Sequence, residues 1–313
     1  MQLAPAPLFC DPIFDGATDP TVIWNPMEGA WWIVYTQRRA NVPCRGVSWV
    51  HGTALGVASS ADGGKSWLYR GTLELEASEP GLNSYWAPEI LCHEGVYHMY
   101  VSFVRGVPED WSGERHILHY TSRNLWNWRY ESVLELSSQH VIDACVYPLP
   151  QGGWRMWYKD EAHESHSYAA DSADLYHWLP IGPQTEDCAQ EGPNVFALGG
   201  TYFLVADMWD GMAVYHSDDL THWTRNPQKL LSDGGTRADD NNRGHHADVL
   251  VVGDAAYLFY FVHPGANEYS YSAPSEYDPY QKRRSSLQVA RLTACDGQLL
   301  AERDAFDFVL TQP

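Results

Sequence analysis

Three acidic residues, far apart in the chain, stand at the heads of apolar runs. They are Asp19 in Thr18-Asp19-Pro20-Thr21-Val22, Asp143 in Val141-Ile142-Asp143-Ala144-Cys145-Val146, and Glu191 in Gln190-Glu191-Gly192-Pro193-Asn194-Val195-Phe196. Glu89, in Trp86-Ala87-Pro88-Glu89-Ile90, and His246, in Gly244-His245-His246-Ala247-Asp248, hold comparable places. Carboxyls gathered in one site can divide acid–base work. One stays ionised and accepts a proton, another keeps a proton and donates it, and neighbouring charge and burial decide which is which. Asp or Glu beside Gly or Pro also caps ordinary turns. The chemical reading therefore needs a fold that brings these heads together, and spacing alone does not assign their roles.

Each head opens a repeated unit. An apolar run is followed by a tight turn (Glu28-Gly29, Glu94-Gly95, Gln151-Gly152-Gly153, Gly199-Gly200, Gly253-Asp254), a returning run, a loop, a third run and a short last one. The runs alternate or are continuously apolar and are rich in Val, Tyr, Trp and Phe, with no sustained helical period. The first four units close on related signatures, Asp62-Gly63-Gly64-Lys65-Ser66-Trp67, Asn124-Leu125-Trp126-Asn127-Trp128, Asp174-Leu175-Tyr176-His177-Trp178 and Asp219-Leu220-Thr221-His222-Trp223. These read as turns whose Trp packs between neighbouring sheets.

Five four-stranded units predict an all-β, five-bladed β-propeller, one domain over 1–313 with blades near 18–75, 85–136, 140–182, 188–231 and 244–310. The first strand of each blade then lines the central channel, and Asp19, Glu89, Asp143, Glu191 and His246 should meet at one mouth. The loops 37–51, 105–115, 159–166, 209–210, 232–243 and 263–284 should form its rim. Either 306–310 or 7–14 could supply the strand that closes the last blade.

Composition narrows the partners. Forty acidic residues against 20 basic ones give a net charge of −20, which argues against nucleic acid or an anionic membrane as partner. The six cysteines are scattered with no C-x-x-C pair, and no apolar run approaches the length of a membrane span. Met1 to Cys10 has neither a basic nor a long apolar region, so a cytoplasmic location is expected. The oligomeric state is left open, a homodimer included.

At this point the motifs match a known pattern. The chain resembles the five-bladed propeller glycoside hydrolases of the family 43 type and their clan relatives. Thr18-Asp19-Pro20-Thr21-Val22 is similar to the segment of the catalytic base, Val141–Tyr147 to the segment whose aspartate tunes and orients the acid, and Gln190–Phe196 to the Glu-Gly-Pro segment of the general acid. Ala144 stands where proline commonly follows that aspartate. Tyr85–Ile90 is also typical, and Gly244–Val249 resembles the region where members place a histidine near a central ion. The segments 35–40 and 56–67 resemble the family 117 branch, which cleaves anhydrogalactose from agar oligosaccharides. The motifs of the fructan-cleaving relatives are missing.

The resemblance implies an inverting, exo-acting hydrolase of an oligosaccharide, by default an arabinofuranosidase or xylosidase. Asp19 would be the base, and Glu191 an acid that keeps its proton because a negative Asp143 repels charge from it. The alternatives are an anhydrogalactosidase and a carbohydrate-binding propeller without turnover. No cofactor is needed for the chemistry. A structural Ca²⁺ near the axis is a further expectation, approached by His246 through water. Trp86, Trp209 and Arg38 are the expected sugar contacts, with Glu89, Arg105 and Arg284 behind them.

Overall fold

A computed structural model of the chain describes residues 2–253, 255–266 and 278–313. The apolar runs become strands that meander outward from a common axis. The first sheet holds β1 (Ala17–Asn25), β2 (Ala30–Gln37), β3 (Ala54–Ser60) and β4 (Leu68–Thr72). The second holds β6 (Ser84–His93), β7 (Val96–Val104), β8 (His116–Ser122) and β9 (Asn127–Val133), and β5 (Glu74–Leu75) adds to its outer edge, parallel to β9. The third is β10 (Val141–Pro148) to β11 (Trp154–Asp160), β12 (His166–Ser172) and β13 (Leu179–Thr185). The fourth is β14 (Glu191–Leu198), β15 (Thr201–Asp207), β16 (Met212–Ser217) and β17 (Thr224–Arg225). The fifth is β18 (His245–Val252), β19 (Ala255–Val262), β20 (Ser286–Cys295) and β21 (Gln298–Glu302). The chain is a five-bladed β-propeller, as the repeats predict. Among the described residues no helix is long and apolar enough to cross a membrane.

The second strand of each blade is buried on both faces, which is why it reads as an unbroken apolar run; every residue of β2 is buried. Hydrophobic clusters then fill the seams between blades, as facing sheets require. Trp32, Val57, Met99 and Tyr120 join the first blade to the second. Tyr100 and Tyr158 join the second to the third, and Trp157, Leu204 and Tyr215 the third to the fourth. Phe203, Leu258 and Tyr260 join the fourth to the fifth.

The repeated signature works as expected. In three blades Ser122, Ser172 and Ser217 accept backbone N–H groups of the turn, and Asn124, Asp174 and Asp219 accept two more. This holds Leu125, Leu175 and Leu220 fully buried at φ of 62°, 67° and 62°. The following Trp crosses the seam: Trp178 meets Tyr100 edge-on at 5.4 Å, and Trp223 meets Trp157 at 6.1 Å.

Closure differs from both expected routes. The fifth blade's outer strand is β21, and 306–310 is not a strand. Phe306, Phe308 and Leu310 instead pack with Leu8 and Phe9 into the seam between the fifth and first blades. Backbone bonds from Leu310 N–H to Gly63 and from Leu287 N–H to Phe9 pin both ends there. The expected turn at Gly253-Asp254 falls partly outside the described residues, as does the middle of the 263–284 loop.

Candidate active site

The innermost strands share one irregularity. In all five sheets the pairing of the first strand with the second slips within its first few residues: Thr18/Thr21, Trp86/Glu89, Ile142/Cys145, Glu191/Asn194 and His245/Asp248. Each slip is a bulge, which re-aims the side chains around it. The bulge positions are Asp19, Ala87, Asp143, Gly192 and His246, and the first four take positive φ (47°, 44°, 63° and 57°). The structure thus sorts the five heads into three levels along the axis. Asp19, Asp143 and His246 are equivalent; Glu191 lies one residue earlier, and Glu89 two residues later.

Hydrogen bonds across the seams follow the same levels. At the deeper level side chains of four blades accept a backbone N–H from the next: Glu89 from Val146 at 2.8 Å, Asn194 from Val249 at 3.2 Å and Asp248 from Val22 at 2.7 Å. Cys145 takes the corresponding N–H of Val195 at 3.2 Å. Glu89 is therefore an inter-blade clamp and does not line the cavity at the mouth, which corrects the expectation that it contacts substrate. Nearer the mouth, Thr36, Ser102 and Asp207 accept the bulge N–H of Ala87, Asp143 and His246. Lys159 stands at the matching place of the third blade, opposite Ile142, and an ammonium cannot accept. There Asp143 itself accepts the Gly192 N–H, at 3.1 Å.

Asp19, Asp143, Glu191, His246, Arg38, Trp86 and Trp209 all line one cavity of about 410 Å³ at the mouth, within the range of small-ligand sites. Trp86 is buried, donates its indole N–H to Val50 at 2.6 Å, and packs against His51 and Trp111. Trp209, more exposed, lies under the Lys159 ammonium, 5.2 Å from its ring. Arg38 reaches Asp19 at 3.1 Å and lies over Phe261.

The charges are interlocked. Burial opposes ionisation of Asp19, but Arg38, His246 and hydrogen bonds from Thr36 and Thr18 outweigh it and hold the carboxyl below its usual range. His246 Nδ1 stands 3.8 Å from Asp19 and 3.9 Å from Asp143. Burial disfavours its charge, yet Asp143, Asp19 and Glu191 together raise its pKa. Burial pushes Asp143 up to about 7, with Glu191 adding repulsion and His246 pulling the other way. Glu191 is paired with Lys159 at 3.0 Å, and the same ammonium reaches Glu161 at 3.0 Å, which in turn meets Arg115 at 2.9 Å. A negative Asp143 beside Glu191 was the expected arrangement; burial instead raises the Asp143 carboxyl to about 7, and Glu191 is paired with the Lys159 ammonium.

Two expected contacts lie elsewhere. Arg105 is at the surface, paired with Glu79, and Arg284 is tied to Asp15 and Asp239. Neither lines the cavity; carboxylates outside it hold both guanidinium groups. No residue of the 232–243 loop lines the cavity: Asp240 accepts from Arg303 and Tyr260, and Arg243 braces the rim from behind by donating to the Trp209 carbonyl. What sequence reasoning did not single out are Lys159, Glu161, Trp49, Trp111, Arg115, Lys282 and Arg283, which do line the cavity. All lie in the loops expected at the rim, and that was their only signal. Among the described residues no three or more His, Cys, Asp or Glu side chains gather as metal ligands. With Glu89 and Asp248 committed to backbone N–H groups and His246 taken up between two carboxylates, the donor set does not fit the expected calcium ion.

No protein-family model matches this sequence, and no curated protein does. Solved structures match its shape. A thermostable family-43 glycoside hydrolase aligns over 97% of this chain and 98% of its own, with a TM-score of 0.67 and 18% identity. An exo-1,5-α-L-arabinanase from a bovine ruminal metagenomic library aligns over 94% and 99%, with 0.62 and 18%. A family-43 β-1,3-galactosidase solved with galactodeoxynojirimycin aligns over 94% and 96%, with 0.65 and 14%. At such identities the likeness is one of fold: this chain has the propeller of these hydrolases.

Proposed function

We propose that the chain is an inverting, exo-acting glycoside hydrolase whose pocket holds the terminal sugar of an oligosaccharide. One observation carries this reading: Asp19, Asp143 and Glu191, contributed by three different blades, line a single Trp-walled cavity in a fold shared with family-43 hydrolases. Asp19, kept ionised by Arg38, takes a proton from water as its oxygen attacks the anomeric carbon. The glycosidic C–O bond breaks, and Glu191 gives its proton to the leaving oxygen. Lys159 touches both Glu191 and Glu161, so Glu161 can hold the ammonium while Glu191 carries that proton. Asp143 and His246 position the pair from the level of the bulges. An arabinofuranoside or xyloside is the default sugar.

The test is a panel of nitrophenyl glycosides with arabinan, xylan and agar oligosaccharides, the anomer of the first product followed by NMR. Cleavage with inversion is expected. Asp19→Ala should lower kcat by about 10²–10⁴-fold on every substrate. Glu191→Ala should cost far less on nitrophenyl glycosides, whose leaving group hardly needs a proton, than on oligosaccharides. Equal losses on both would remove Glu191 from the acid role, and binding without cleavage of any member would leave a sugar-binding propeller.

A further inference from the structure

Among the described residues the cavity's cations are matched to carboxylates with one exception. Arg38 faces Asp19, Lys159 and Arg115 face Glu161, and Lys282 faces Asp278 at 3.0 Å. Arg283 closes the four-residue helix α1 (Tyr280–Arg283) on the cavity wall and is only 7% exposed. Its guanidinium donates to the Val42 carbonyl at 3.1 Å and the Cys44 sulfur at 3.2 Å. Its Nε has no acceptor, and among the described residues no carboxylate pairs with it.

A guanidinium stays charged, and a buried charge without a counter-ion is costly, by more than neutral acceptors return. The chain has 20 more acidic than basic residues, and none of the described carboxylates is placed here. A ligand that brought one anionic group to this wall would supply the missing partner in the paired geometry a guanidinium favours.

We infer that Arg283 forms a subsite for an anionic substituent, and that the preferred saccharide carries a carboxylate or a sulfate ester near its terminal ring. This rests on the sugar-binding reading of the cavity but not on turnover. The Asp19 and Glu191 side of the cavity handles the anomeric centre, and the α1 side reads the charged group.

The experiment compares binding of D-galacturonate, galactose 6-sulfate and D-galactose by calorimetry at fixed ionic strength. At least one charged sugar should bind about tenfold tighter than galactose, the gain of a hydrogen-bonded charge pair. Preference for galacturonate alone assigns a carboxylate site, and for the sulfate alone a sulfate-ester site. Arg283→Gln should bring the ratio near one, and Arg283→Lys should retain part of it. Equal binding of all three sugars by the unmodified protein overturns the inference whether or not the variants fold, and so does a preference that survives in Arg283→Gln. A chain that cuts neutral glycosides and shows no charge preference loses this inference alone. One that cuts nothing but prefers the charged sugar loses the hydrolase reading alone.

Discussion

Lys159 is the residue on which the site's electrostatics turn. It occupies a place where three other blades carry a hydrogen-bond acceptor, and its ammonium joins Glu161 and Glu191 into a chain that ends on Arg115. Burial opposes its charge, but Glu191 and Glu161 outweigh burial and hold it protonated. Lys159→Met should destabilise the fold by about 1–3 kcal/mol, because half-buried carboxylates lose a partner. It should also lower kcat/KM, since the ammonium that fixes Glu191 and Glu161 in place is gone. Thermal unfolding and kcat/KM under folded conditions check the two effects separately. Asp143 supports a second prediction at this scale. Its folded carboxyl keeps a proton up to about 7, so its contribution to stability is full below the ordinary carboxylate value and lost as pH rises through about 7. Asp19 is shifted the other way, and its contribution is lost only as pH falls below the ordinary range. Stability should therefore peak in weak acid. Asp143→Asn should make the decline in Tm toward neutral pH shallower without flattening it, because Glu89, Asp248 and His246 are also raised. A slope identical to that of the unmodified protein would mean Asp143 does not titrate there.

The element that matters most is the bulged innermost strand. A plain strand would alternate its side chains evenly; the bulge adds a residue and turns Asp19, Asp143 and His246 to the mouth. Glu89 lies past the bulge of β6 and clamps Val146 of the next blade, so it belongs to stability. Glu89→Gln, which keeps an acceptor oxygen, should be nearly neutral. Glu89→Ala should cost about 1–3 kcal/mol by leaving a buried N–H unpaired, with kcat/KM unchanged under folded conditions. Urea unfolding alongside kinetics decides it: a large drop in KM-normalised rate with intact stability would return Glu89 to the site. That Glu89 and Glu191 differ in level was not legible in the sequence. Both precede or follow a proline by one or two residues, and only strand register shows on which side of the bulge each falls.

At the scale of the whole molecule the propeller is closed by packing rather than by an exchanged strand. Phe306, Phe308 and Leu310 fill the last seam against Tyr257, Phe259 and the N-terminal Leu8 and Phe9. Phe308 is fully buried and meets Tyr257 edge-on at 5.0 Å. Phe308→Ala should cost about 3–5 kcal/mol, the usual loss for a large core aromatic. It should loosen the first and fifth blades before the others. Hydrogen exchange should report faster opening in β1 and β18 than in β11; uniform acceleration would mean the ring unfolds as one unit. Because the cavity is bounded by all five blades, this remote change should also weaken sugar binding.

The sequence by itself determined the repeat, the strand order within each blade and the identity of the three acidic heads, because these depend on local patterning: apolar period, Gly turns and the serine- and aspartate-capped signature. It also marked most of the rim loops. Only the tertiary structure decided the pairings. Lys159 on Glu191, His246 between Asp19 and Asp143, Arg105 and Arg284 held away by Glu79, Asp15 and Asp239, and Arg283 on Val42 and Cys44 are all contacts between segments apart in the chain. Charge and burial act through space with a reach of a few ångströms, and neither leaves a mark in the order of residues along the chain.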